Sequence, residues 1–110
     1  MDIKECVDIC VKALEDKKGA DIKVLNIGGI SPLADYFVIA TGNNRNQMQA
    51  MSDEVCEKLA AQKIGAKHIE GYDSANWILI DFSDFIVHIF NPESRDFYNL
   101  ERIWRDAKVE

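Results

Sequence analysis

The sequence predicts a mixed α/β fold: a single domain over residues 1–110, with flanking helices on a mixed five-stranded sheet. Three observations predict it. The stretch WILIDFSDFIVHIF at 77–90 reads as two apolar runs of strand length about a turn at Ser83 and Asp84. Residues 2–17 and the stretch after Asn43 carry apolar residues at helical spacing. The order of elements is then helix, two strands, helix, three strands, helix.

Taken in order, residues 2–17 place Ile3, Val7, Cys10 and Leu14 on one stripe, flanked by Cys6, Ile9 and Ala13. Asp2 suits its N-cap, and Gly19 lies just past its end. IKVLNI and ADYFVIAT read as strands joined by a Gly-Gly-Ile-Ser-Pro loop. That loop lacks the glycine spacing and the Lys-Ser/Thr ending of a phosphate loop, so it reads as turn chemistry. Asn43 or Asn44 caps a second helix that runs to about Lys63, with Met48, Met51, Val55 and Leu59 inward. KHIEGY is a third strand. The pair within 77–90 supplies the fourth and fifth. Centring the turn on Ser83 and Asp84 sets Ile80 opposite Val87 and Ile78 opposite Ile89. One face is then wholly apolar, and the other carries Trp77, Leu79 and Asp81 against Phe90, His88 and Ile86. NPESRDFYNLERIWRDA reads as a last helix, capped by Asn91 or Ser94 with Pro92 in its first turn. Phe97, Leu100, Ile103, Trp104 and Ala107 supply its apolar side.

Composition narrows the function. The chain has 110 residues, 47% of them hydrophobic, and a net charge of −6. An acidic domain has little attraction for a phosphate backbone, so direct nucleic-acid binding is not expected and a basic protein surface fits better. No run approaches the roughly 18 apolar residues of a membrane span, and the acidic N-terminus does not resemble an export signal. Cys6, Cys10 and Cys56 read as reduced thiols of a cytoplasmic protein. With two histidines in the chain, neither a metal site nor a cofactor is expected.

Asp81, Asp84 and His88 are the residues an enzyme reading would use. Two-metal nucleotidyl transfer needs carboxylates that converge on one point. Two aspartates three apart across a turn face different ways, and local sequence sets no nucleophile beside His88. No catalytic residue is expected and the chain does not read as an enzyme; a degenerate nucleotidyltransferase and a generic dimeric adaptor are the alternatives.

The segments SPLADYFVIATGNN and GYDSANWILIDFSDFIVHIFNPESRDFYNLERIW resemble the ribosomal silencing factor family, also called the Iojap family. The resemblance runs from about residue 3 to 107, and ADYFVIATG, WILIDF and VHIF are its most specific parts. Asn44 stands where Ser is expected and Ser83 where Gly is usual. The resemblance implies a nucleotidyltransferase-like fold without transferase activity. It also implies a translational repressor that binds the large ribosomal subunit through its fourteenth ribosomal protein. That contact blocks joining of the small subunit, mainly when nutrients run short. Homodimers in isolation and a bacterial cytoplasm are implied too. Within this frame the mixed sheet face is expected to meet the ribosomal protein through Trp77, Asp81, Tyr72 and His88.

Overall fold

The computed structural model describes residues 2–103 and 108–109. Its elements are α1 (Ile3–Asp16), β1 (Ala20–Asn26), β2 (Tyr36–Thr41), α2 (Arg45–Ala60) and β3 (His68–Glu70). They continue with β4 (Trp77–Asp81), β5 (Phe85–Phe90), α3 (Pro92–Tyr98), α4 (Leu100–Ile103) and β6 (Lys108–Val109). Among the described residues these strands form one sheet in the order β3-β4-β5-β2-β1-β6. β2 and β5 pair in parallel and every other neighbouring pair is antiparallel. The parallel pair is possible because α2, β3 and β4 lie between β2 and β5 in sequence, enough chain for a crossover. The five expected strands are present, and β6 adds two residues at the β1 edge.

Both long helices start as the sequence predicts. Asp2 accepts the Glu5 N–H at 2.8 Å, and Asn44 accepts that of Gln47 at 2.8 Å. The Gln47 amide oxygen in turn takes the Asn43 N–H at 2.7 Å, a reciprocal cap built with Gln. The same side chain donates to the carbonyls of Lys17 and Lys18, tying the start of α2 to the end of α1. At that end it is Lys18 that takes positive φ, at 63°. Gly19 serves another purpose: a Cβ there would lie 2.9 Å from Met51 Cε, so its absence lets α2 approach.

The sheet separates two cores. α1 and α2 cover one side, where Val7, Cys10, Leu14, Met48, Met51, Val55 and Leu59 meet Ile78, Ile80, Val87 and Ile89. Each such side chain, fully buried, contributes about 1.5–3 kcal/mol over an exposed one. On the other side Leu25, Ile27, Phe37, Ile39 and Phe90 pack with Leu100 of α4. The expected hairpin register holds, with Ile78 opposite Ile89 and Ile80 opposite Val87.

The last helix differs from expectation. The chain breaks at Asn99, which adopts φ 37° and caps α3 in the left-handed conformation. The break takes residues 97 and 100 off a common stripe. Leu100 enters the second core, whereas Phe97, expected inside, is 81% exposed. The side chain of Ile103, together with Trp104 and Ala107, lies outside the described residues. Arg95 holds α3 in place: it is buried, and its guanidinium donates to Thr41 Oγ1 at 2.8 Å and to the Asp21 carbonyl at 2.7 Å.

Candidate partner-binding face

Strand pairing assembles the face on the side of the sheet away from α1 and α2. Trp77 lies opposite Phe90, Leu79 opposite His88, and Asp81 opposite Ile86. On the outer side, Glu70 lies opposite Leu79 and His68 opposite Asp81. Directly opposed residues share a face, so two carboxylates, a Trp and a Leu sit together near the β3 edge.

Trp77 is half-buried and held on several sides. Its ring centroid lies 4.9 Å from that of Phe90 and 4.7 Å from that of Tyr98 in α3. Its indole Nε1–H donates to His88 Nδ1 at 3.1 Å. Trp can only donate through that atom, so the bond requires a neutral His88 with its own proton on Nε2. His88 is 3% exposed, wedged between Trp77 and the ring of Phe37, whose centroid is 4.7 Å away. Burial pushes its pKa down to about 3. Its Nε2 is buried and makes no hydrogen bond. His88, expected as a direct contact, is therefore closed to a partner in this conformation; aromatic packing from Phe37, Trp77 and Phe90 covers it.

The other expected residues are placed apart. Asp81 is half-buried, and its Oδ1 accepts the Ser83 N–H at 2.7 Å across the hairpin turn. Tyr72 turns toward α2. Its hydroxyl donates to Asp53 Oδ1 at 2.8 Å and its carbonyl accepts from Gln49 Nε2 at 3.0 Å. That bond to Asp53 holds the phenol above its ordinary pKa. Since α2 packs on the opposite side of the sheet, the structure brings Trp77 and His88 together, Asp81 along the same face, and Tyr72 to the other side. Asp81, Asp84 and His88 do not come together as a reaction centre: one carboxylate is turned onto its own hairpin, Asp84 is exposed, and His88 is enclosed. Among the described residues no group of three or more His, Cys, Asp or Glu could hold a metal ion. Burial, the largest cause in each case, raises the Cys6, Cys10 and Cys56 thiols and leaves them poor nucleophiles.

Three residues of this region carry no local signal in the sequence. Arg95 reads as a solvated helix charge. Tyr98 comes beside Trp77 only through the packing of α3 on the sheet. Glu70 joins the face only through the β3–β4 register.

The face thus sets Trp77, held by His88, Phe90 and Tyr98, beside the Glu70 and Asp81 carboxylates. Residues 1–110 match the family model described as "Ribosomal silencing factor during starvation", and the chain belongs to that family. It is 42% identical over 107 residues to the ribosomal silencing factor of Halalkalibacterium halodurans, covering 97% of this chain and 92% of that protein. A crystal structure of a Chromobacterium violaceum protein superposes with a TM-score of 0.91 at 35% identity, covering 94% of this chain and 87% of that one. The mouse protein named mitochondrial assembly of ribosomal large subunit protein 1 is 30% identical over 101 residues, 89% of this chain and 44% of that protein. Family membership makes the chain a ribosome-associated regulator of translation. Among the described residues no helix is long and apolar enough to cross a membrane.

Proposed function

We propose that this chain represses translation by binding the large ribosomal subunit through its fourteenth ribosomal protein and blocking association with the small subunit, mainly under nutrient limitation. The observation that carries this reading is the family match over residues 1–110. The name of the mouse relative, which refers to the large subunit, supports the choice of subunit. The net charge of −6 suits a basic protein that itself contacts RNA. Trp77 is the anchor of the contact, because interfaces concentrate energy in large aromatics whose conformation is already set. Asp81 has one oxygen on the turn and a second for a Lys or Arg of the partner. His88 acts from beneath, by fixing the indole. Tyr72 touches the partner only where it reaches around the β3 edge. Blocking a joining surface requires bulk and slow release, and no bond is made or broken, so no residue is assigned a catalytic role. The protein works in the cytoplasm and forms homodimers when isolated.

Sucrose-gradient sedimentation with purified subunits tests the reading. The protein should co-migrate with large subunits and not with small ones. Added before mixing, it should lower the yield of joined particles. Equal binding to both subunits would remove the joining-block mechanism.

A further inference from the structure

Beside Trp77 lies a recess of about 280 Å³ lined by Glu70, Gly71, Ser74, Trp77 and Leu79. We propose that it takes one arginine side chain from a basic protein partner, with Glu70 as the residue that selects it. The proposal rests on the reading that this face meets a ribosomal protein.

The chemistry of the lining selects a cation. Glu70 is the one charged side chain among the five, and it is exposed. Several N–H donors around the recess are already engaged. Those of Asn76 and Trp77 are directed to Ser74 Oγ at 3.0 and 3.4 Å, and that of Ser74 to the Gly71 carbonyl at 2.8 Å. The indole N–H is directed inward to His88. An anion would meet the Glu70 carboxylate here, with the neutral Ser74 hydroxyl as the donor set against that repulsion. A cation finds a carboxylate and an aromatic ring. Asp81, on the same face, adds a second negative charge.

Shape then favours arginine over lysine. A planar guanidinium can stack on the Trp77 ring and fork onto Glu70, while its methylene stem lies against Leu79. Glu70 Oε1 sits 2.9 Å from His68 Nε2, a surface contact that an incoming guanidinium can replace or share. The recess depends on Gly71. That residue has φ 73°, and a Cβ there would collide with the Trp77 carbonyl oxygen, so the turn that shapes the wall requires glycine.

Two arms test this. In the first, Glu70→Gln, Glu70→Lys and the control Glu15→Gln, on α1 across the sheet, are compared with wild type for binding to purified large subunits over a salt series. Glu70→Gln should weaken binding roughly tenfold and flatten its salt dependence, as expected on loss of a charge-assisted bond. Glu70→Lys should weaken it further, and Glu15→Gln should match wild type. In the second arm, wild type and Glu70→Gln are titrated with N-acetyl-arginine amide, with the lysine and glutamine analogues alongside. Backbone amide NMR shifts at Gly71, Ser74 and Trp77 are followed. The arginine probe should move them in wild type alone, and more than the lysine probe does. Unchanged affinity and salt slope for Glu70→Gln would overturn the proposal. Tighter binding by Glu70→Lys would also do so, since the face would then lie against RNA phosphate. If wild type itself fails to bind large subunits, the proposed function fails. The recess is then judged by the second arm, where no shift with the arginine probe sinks it.

Discussion

Trp77 and His88 together decide how the face behaves at the scale of single residues. The indole is half-buried, so it contributes both to the second core and to any contact made on its open side. Trp77→Ala should therefore cost roughly 2 kcal/mol or more of large-subunit binding, a hot-spot value. It should cost less in folding than Ile80→Ala, which removes a fully buried side chain and opens a cavity worth about 2–5 kcal/mol. Urea midpoints and subunit affinity, measured on both variants, check this. If Trp77→Ala unfolds as readily as Ile80→Ala while its folded fraction binds normally, Trp77 is a core residue only. His88 gives a pH signature. Its folded pKa of about 3 lies below the unfolded value of 6.5, so the unfolded chain binds the proton first as pH falls. The stability linked to its neutral form is complete above pH 6.5 and is lost progressively down to about 3, by up to about 1.4 kcal/mol per pH unit. Urea unfolding across that range should show this slope, and His88→Phe should flatten it. An equal slope in the variant would place the effect on other groups.

The hairpin of β4 and β5 was the most legible element. Alternation in 77–90 assigned its faces and register because a slip of one residue would move the whole apolar set into water. Its turn holds a local conflict. Ser83 has φ 72°, a left-handed conformation that disfavours a side chain, and the Asp81 carboxylate holds it there through the 2.7 Å bond. Ser83→Gly should raise stability by about 1 kcal/mol, read as a higher urea midpoint at unchanged slope. A lower midpoint would mean that the unfolded-state freedom gained with Gly outweighs the relieved strain. The last helix was less legible. Its apolar spacing continues through Asn99, and a break by a left-handed Asn competes with that periodicity without erasing it. That spacing points Phe97 inward, and the break leaves it outside.

For the whole molecule, the two-core arrangement sets which face is available. α1 and α2 seal one side of the sheet, which leaves the β3 end of the other side, beside α3, as the sheet surface open to the proposed contact. The acidic charge should steer that encounter. Affinity for large subunits should therefore fall as salt rises, through the association rate more than the dissociation rate, as stopped-flow mixing would measure. A salt-independent association rate would assign the contact to apolar burial alone.

The sequence by itself determined the fold class, the five main strands, both long helices with the Asp2 cap and a cap at Asn43 or Asn44, and the apolar face of the hairpin. These follow from local chemistry: side-chain periodicity, capping groups and turn residues act within a few positions of one another. The motifs ADYFVIATG and WILIDF also carried the family, which the match over residues 1–110 bears out. Only the tertiary structure decided that His88 lies under Trp77, that Tyr72 reaches α2, that Arg95 is buried, and that Glu70 joins the Trp77 face. Each of those depends on strand order or on which element covers a face. A polar residue on a half-buried strand reads the same whether a helix, an aromatic ring or water lies above it.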